Sequence, residues 1–262
     1  MPQTEVLYEI SDHIATITLN APERMNTISR AMLDELTAAL LRANEDKDVR
    51  CVILTGSGRA FCAGLDLREV RGEGGISTAS SPTTLNLRNT PPTVLQAMDK
   101  PTICAVNGGA AGYGMDTALG CDIRIMAQSA KLAAAFVKRG VVPESGGTWF
   151  LPRMIGWAKA AELIFTGRTL SAAESLAWGL TNAVVPDDQL MEAARAMARE
   201  IAANAPLAVQ ASKRMMRMGL NENFPDHVHH VYLQLLPLFK TQDMAEGMRA
   251  FLEKRTPDFK GQ

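Results

Sequence analysis

Apolar and polar residues interleave over Val6 to Ile10 and again over Ile14 to Leu19, which predicts two short strands folded into a hairpin around Ser11, Asp12 and His13. Asn20-Ala21-Pro22 ends that hairpin. From Ser29 the period lengthens. A helix capped by Ser29 sets Leu33, Leu36, Leu40 and Ala43 on one face. Val49 to Leu54 is a β-branched run with the look of a strand buried on both faces, and Thr55-Gly56-Ser57-Gly58 closes it. A second such run, TICAVNG, follows Pro101 and enters a glycine turn. The order strand, glycine turn, helix, strand then repeats, as in the parallel crossovers of an α/β fold. Past Pro152 the pattern is largely helical. It holds a capping box at Ser171 and Glu174, a Leu/Met/Ile stripe from Asp188 to Ala203, and a last helix from Asp243 to Arg255. The methionine-rich run 215–218 reads as core or subunit interface. The stretch from Gly72 to Pro92, rich in Gly, Ser, Thr and Pro, reads as a mobile surface loop able to serve as a lid.

Composition narrows the function. With 262 residues, 47% hydrophobic and 21% charged, the chain can bury an ample core as one large domain or a domain with an appendage. Its net charge of −1 argues against nucleic acid or an anionic membrane as partner. No run approaches the ~20 apolar residues of a membrane span and the N-terminus has no apolar signal core, so a soluble, cytoplasmic protein is expected. Cys51, Cys62, Cys104 and Cys121 lack CxxC spacing and read as buried, reduced thiols. Neither GxGxxG nor GxxxxGK[ST] occurs where a strand meets a helix, which argues against dinucleotide binding and P-loop chemistry. His227, His229 and His230 cluster, yet no acid or cysteine stands at a metal-like spacing from them, so no metal site is expected.

Chemistry concentrates between Asn107 and Pro152. Two glycine-containing turns there each lead into a segment that can be helical. Such turns point unpaired N–H groups and a positive dipole end at whatever lies in front, which favours developing negative charge. Two acids, Asp116 and Glu144, lie in the same stretch and could move protons. Each also has a plainer reading as an acid complementing a helix N-terminus. Asp122 and Arg124 look like a structural charge pair, and Tyr113, Trp149 and Phe150 like packing or pocket wall.

Five segments resemble, in order and spacing, the crotonase superfamily, also called the enoyl-CoA hydratase/isomerase family. They are AFCAGLDLREV at 60–70, KPTICAVNGGAAGYGMDTALGCDIRI at 100–125, GVVPESGGTWFLPRMIG at 140–156, FTGRTLSAAESLAWGLTNAVVP at 165–186 and EGMRAFLEKRTPDFKG at 246–261. The resemblance covers nearly the whole chain. It implies an α/β fold: a spiral of repeated ββα units over residues 1–195, then a C-terminal helical trimerisation region over 196–262. The assembly it implies is a homo-oligomer, a trimer or dimer of trimers. The implied ligand is an acyl-CoA, with coenzyme A entering as part of the substrate and no separate cofactor. Backbone N–H groups of Leu65 and Tyr113 then form an oxyanion hole for a thioester enolate. Ala63, Leu65, Asp66, Leu67 and Arg68 fall on the CoA-binding segment, Gly109 and Phe136 on further substrate-contacting positions. Arg24 and Lys254 fall on positions of basic residues that reach CoA, Lys254 that of a neighbouring subunit.

Typical hydratases of that family hold one water between two glutamates. Asp116 matches the first position, but the second is occupied by Phe136, which cannot transfer a proton. Glu144 matches a third position, where family isomerases carry their proton-shuttling acid and some dehalogenases a nucleophilic carboxylate. Apolar neighbours such as Phe136 and Val142 would raise its pKa and suit it to proton transfer near neutral pH. Double-bond isomerisation through a proton shuttle is therefore expected, with hydration by Asp116 and Glu144 as the alternative. A nucleophilic hydrolase or dehalogenase needs a water-activating histidine, and none lies between His13 and His227. A non-catalytic acyl-CoA binder would have no use for two acids at these positions.

Overall fold

The computed structural model describes residues 4–66, 68 and 90–262. The N-terminal alternation forms β1 (Val6–Ser11) and β2 (Ile14–Leu19), an antiparallel hairpin turning at Asp12 and His13. In α1 (Arg30–Glu45) the Ser29 hydroxyl accepts the Met32 N–H at 3.0 Å. The buried face is Met32, Leu36, Leu40 and Ala43, so Met32 takes the place expected of Leu33, because the i, i+4, i+8 row faces the sheet.

Three units of two strands and a helix follow. They are β3 (Cys51–Gly56), β4 (Ala60–Cys62) and α2 (Pro91–Ala97); β5 (Thr102–Val106), β6 (Gly109–Ala111) and α3 (Tyr113–Gly120); β7 (Ile123–Ala127), β8 (Lys131–Ala133) and α4 (Gly147–Thr166). After them come β9 (Thr169–Ser171), α5 (Ala172–Trp178) and β10 (Ala183–Val185). One sheet has the order β1-β2-β3-β5-β7-β10 and the other β4-β6-β8-β9. Each unit gives one parallel strand to each sheet and moves one place along both, which is the expected ββα spiral. Of the segment predicted to be a loop, residues 72–89 lie outside those described, while Pro91 and Pro92 open α2 instead; proline suits a first helical turn, where its missing N–H has no partner to lose.

The remaining chain is helical: α6 (Leu190–Ala202), α7 (Pro206–Gly219), α8 (Phe224–Leu238) and α9 (Gln242–Glu253). α6 spans the 195/196 boundary and lies across β3, β5 and β7, burying Leu190, Ala194, Ala198 and Ala202. A row of alanines makes that close approach to the sheet, leaving Met191, Met197 and Ile201 at its margins. Ion pairs fix α7 to the spiral, from Arg217 to Asp99 at 3.1 Å, from Arg214 to Asp99, and from Lys213 to Asp122 at 2.7 Å. Asp122 therefore does not pair with Arg124 as expected. Arg124 is buried and donates to the carbonyls of Cys121 and Leu180 at the ends of α3 and α5, where a guanidinium meets unpaired helix-end oxygens. α8 buries none of its residues, although FPDHVHHVYLQLLPL is mostly apolar.

All four cysteines are free and buried, and burial pushes Cys51 and Cys62 up to about 12, so neither is a thiolate at neutral pH. His227 and His230 both contact Glu222, at 3.1 and 3.0 Å. Among the described residues no three metal-ligating side chains come together, and no helix is long and apolar enough to cross a membrane.

Candidate active site

Two ribbons of backbone build the site. The first joins residues 25–28 to 63–66: Ala63 N–H donates to the Met25 carbonyl, Ile28 N–H to that of Gly64, and Asp66 N–H to that of Ile28, at 3.0, 2.8 and 2.9 Å. In this parallel bridge between Ile28 and Leu65, the bonds use the groups on either side of Leu65, so its own N–H faces away from the ribbon. That N–H has no acceptor among the described residues. The second ribbon enters α3. Gly112, at φ 53° and ψ −122°, turns the chain from β6 into the helix, a conformation open to glycine. Tyr113 is the first residue of α3, so its N–H has no partner one turn back and finds none elsewhere among the described residues. Gly114 lies so close to β4 that a Cβ would overlap the Cys62 carbonyl. A Cβ on Gly64 would stand 4.0 Å from the Tyr113 nitrogen, so the two unpaired amides come from neighbouring stretches of backbone.

One turn into α3, Asp116 is wholly buried. Its Oδ2 accepts the Gly147 N–H at 3.1 Å, at the start of α4, while its Oδ1 is buried with no hydrogen-bond partner among the described residues. Gly147 is held to glycine here because a Cβ would overlap Asp116 Oδ1. Burial pushes the Asp116 carboxyl up to about 7; the Gly147 amide and, more weakly, the Ser145 amide pull it back, and the charge of Glu144 adds to the rise. The helix-capping reading of Asp116 thus holds for one oxygen only, and toward α4, not toward its own helix.

Glu144 departs from expectation. It is exposed, as is Val142 at 69%, so the apolar enclosure foreseen for Glu144 belongs to Asp116 instead. The physical reason is distance from the core: residues 141–144 run over the surface between β8 and α4, and only Pro143 among them is buried. Glu144 is still near the chemistry, since its charge acts on both Asp116 and the Tyr113 phenol. Phe136 is buried, its ring 3.8 Å from where a Cβ on Gly112 would sit.

The remaining positions divide. Arg24, Asp66 and Arg68 come together with the first ribbon: Arg24 pairs with Glu5 at 2.6 Å and with Asp66 at 3.5 Å, and Arg68 with Asp66 at 2.7 Å. The Arg68 bond holds the Asp66 carboxyl well below the usual range. Much of the Arg24 guanidinium is therefore engaged inward, with a further bond to the Thr27 carbonyl at 3.0 Å. Gly109 is exposed on β6, and Lys254 is exposed at the end of α9 at φ 54°. Among the described residues no hydrogen bond or ion pair joins the Lys254 ammonium to the site. Leu67 lies outside the described residues. Sequence reasoning missed the Gly147 amide as a partner of Asp116, a contact across 31 positions that no local pattern signals. It also missed the Tyr113 phenol, which is buried and has no partner among the described residues; a tyrosine three residues before an acid on a helix was the available sign.

Compared with known proteins, residues 9–262 match the family model described as enoyl-CoA hydratase/isomerase. The chain belongs to that family. It is 40% identical to a protein of Rhodobacter capsulatus named probable enoyl-CoA hydratase and 38% identical to the 1,2-epoxyphenylacetyl-CoA isomerase of Escherichia coli K12, covering 98% of both chains in each case. Among solved structures it is similar to the enoyl-CoA hydratase of Bacillus anthracis, with TM-score 0.89 and 36% identity over 98% of this chain and 100% of that one. The ββα spiral is thus the fold of the enoyl-CoA hydratase/isomerase family, and this chain is an enzyme of it. A large apolar cavity of about 920 Å³ lies apart from the two ribbons, between α4 and α7, lined among others by Trp149, Met154, Ile201 and Met216. None of Leu65, Tyr113, Asp116 and Glu144 lines it.

Proposed function

We propose that this enzyme shifts the double bond of an unsaturated acyl-CoA by moving one proton, with Asp116 as the shuttle. The observation that carries the proposal is the state of that carboxyl: buried, near pKa 7, with one oxygen tied to Gly147 and the other without a hydrogen-bond partner among the described residues. An acid with a pKa near the working pH can take a proton and give it back with little free-energy cost in either direction. In the forward step Asp116 removes a proton from Cα of a 3-enoyl thioester, and the electron pair moves onto the thioester oxygen through the conjugated dienolate. The protonated carboxyl then returns the proton at Cγ, giving the 2-enoyl thioester. The Leu65 and Tyr113 N–H groups hold the oxygen as charge builds, each worth on the order of 3 kcal/mol. Backbone donors suit this task because no rotamer change can withdraw them. Glu144 serves as a second acid at the mouth. Arg24, Ala63, Asp66, Leu67 and Arg68 bind the CoA portion, and Phe136 bounds the acyl portion where a hydratase carries its second glutamate.

A second reading, hydration of a 2-enoyl-CoA, draws support from the influence of Glu144 on Asp116, since two acids that feel each other across a pocket can hold a water between them. Incubating the protein with 3-hexenoyl-CoA and with crotonyl-CoA in deuterated water decides between them. A gain of enoyl absorbance from the first, without added mass of water, supports isomerisation. Loss of absorbance from the second with one added water supports hydration and overturns the isomerase reading as the main activity. The enzyme acts as a homo-oligomer, a trimer or dimer of trimers, a reading supported by the apolar surface of α8 and by Phe224, Phe251 and Leu252, each at least 75% exposed in the single chain.

A further inference from the structure

Asp116 is not alone in carrying an unsatisfied polar atom at this site. Tyr113 is 8% exposed, and its hydroxyl oxygen is buried without a hydrogen-bond partner among the described residues. It stands three residues before Asp116 on α3, on the same face of the helix, and Asp116 Oδ1 is the other orphan of that face. Glu144 and Asp116 both act on the phenol. Buried hydroxyls are rarely left unpaired, because losing water without replacement costs free energy. A tyrosine that only filled space here would serve as well as phenylalanine.

We infer that the Tyr113 phenol is a specificity-determining group that donates a hydrogen bond to an oxygen carried by the acyl chain next to Cγ, so that the site favours oxygen-bearing acyl-CoA substrates over hydrocarbon ones. This rests on the acyl-CoA reading of the site and holds for either hydration or isomerisation. On this reading the Tyr113 amide meets the thioester oxygen, and the phenol, which feels both Glu144 and Asp116, meets the acyl chain further along. An acyl group with only methylenes at that place leaves the phenol unpaired in a dry pocket. A binding site built to pair with a substrate oxygen discriminates strongly against the analogue that lacks it.

The test uses two saturated ligands that neither reaction consumes, 4-methoxybutanoyl-CoA and hexanoyl-CoA, which differ by one oxygen in place of a methylene. Calorimetric titration gives the ratio of their affinities in the wild type and in Tyr113→Phe. The expected result is that the ratio, ether over hydrocarbon, falls about tenfold in the variant. Thermal melts should find Tyr113→Phe no less stable than the wild type, as expected where the hydroxyl makes no bond among the described residues. An unchanged ratio overturns the inference and leaves the acyl-CoA reading intact. Failure of both ligands to bind the wild type overturns that reading and the inference with it.

Discussion

Asp116 shows how one residue can be set against the stability of its own fold. The carboxyl ionises near 3.8 in the unfolded chain and near 7 in the folded one. Between those values the folded state binds more protons than the unfolded, so stability falls as pH rises from about 4 to about 7 and stays low above. Asp116→Asn keeps an oxygen for the Gly147 N–H and removes the buried charge. It is expected to raise stability at pH 8 by up to about 4 kcal/mol, with no gain near pH 4. It should also lower kcat by at least about 100-fold. Melting curves across pH and a steady-state assay check both halves; a variant destabilised at pH 8 would contradict the assignment. In the wild type, kcat/KM should rise with pH through about 7 as Asp116 loses its proton to become the base. The two carboxyls were visible in the sequence as acids in a glycine-rich stretch. Which of them is enclosed was not, because enclosure comes from β4, α3 and α4 meeting in space.

At the scale of the element, the start of α3 is where local sequence and tertiary packing meet. Gly112-Tyr113-Gly114 reads as a turn into a helix, and the turn exposes the Tyr113 amide. That Gly114 also has to pass against the Cys62 carbonyl is a property of β4 and α3 together. Gly114→Ala is expected to push the helix start off β4, costing about 1–3 kcal/mol in denaturant melts and lowering kcat as the Tyr113 amide moves. Ser171→Ala offers a contrast. It removes the bond in which the Ser171 hydroxyl accepts the Glu174 N–H at 3.2 Å, and should cost about 1 kcal/mol with kcat unchanged. The capping box at Ser171 and the N-cap at Ser29 were legible because such bonds span three residues. The pairing of Asp122 with Lys213, across 91 positions, was not.

For the whole molecule, the spiral explains why the site needs residues from distant parts of the chain. Each ββα unit advances one place, so the end of β4 and the end of β6 become neighbours and their following backbones present amides side by side. The C-terminal helices follow a different logic, with α6 laid on the sheet and α8 left uncovered. Replacing Phe251 and Leu252 by aspartate should leave a folded chain that elutes from size exclusion with light scattering as a smaller species than the wild type. A wild type that is already monomeric would remove the oligomer reading.

The sequence by itself determined the strands, the capped helices, the glycine turns and the family, because these depend on periods of two and 3.6 residues and on short, ordered motifs. The tertiary structure alone decided that Asp116, not Glu144, is the buried acid, that Arg124 binds carbonyls and not the Asp122 carboxylate, and that the Tyr113 hydroxyl has no partner among the described residues. Burial and pairing are set by which segments pack together across tens of residues, and that information is carried by the assembled core, not by any stretch of the chain.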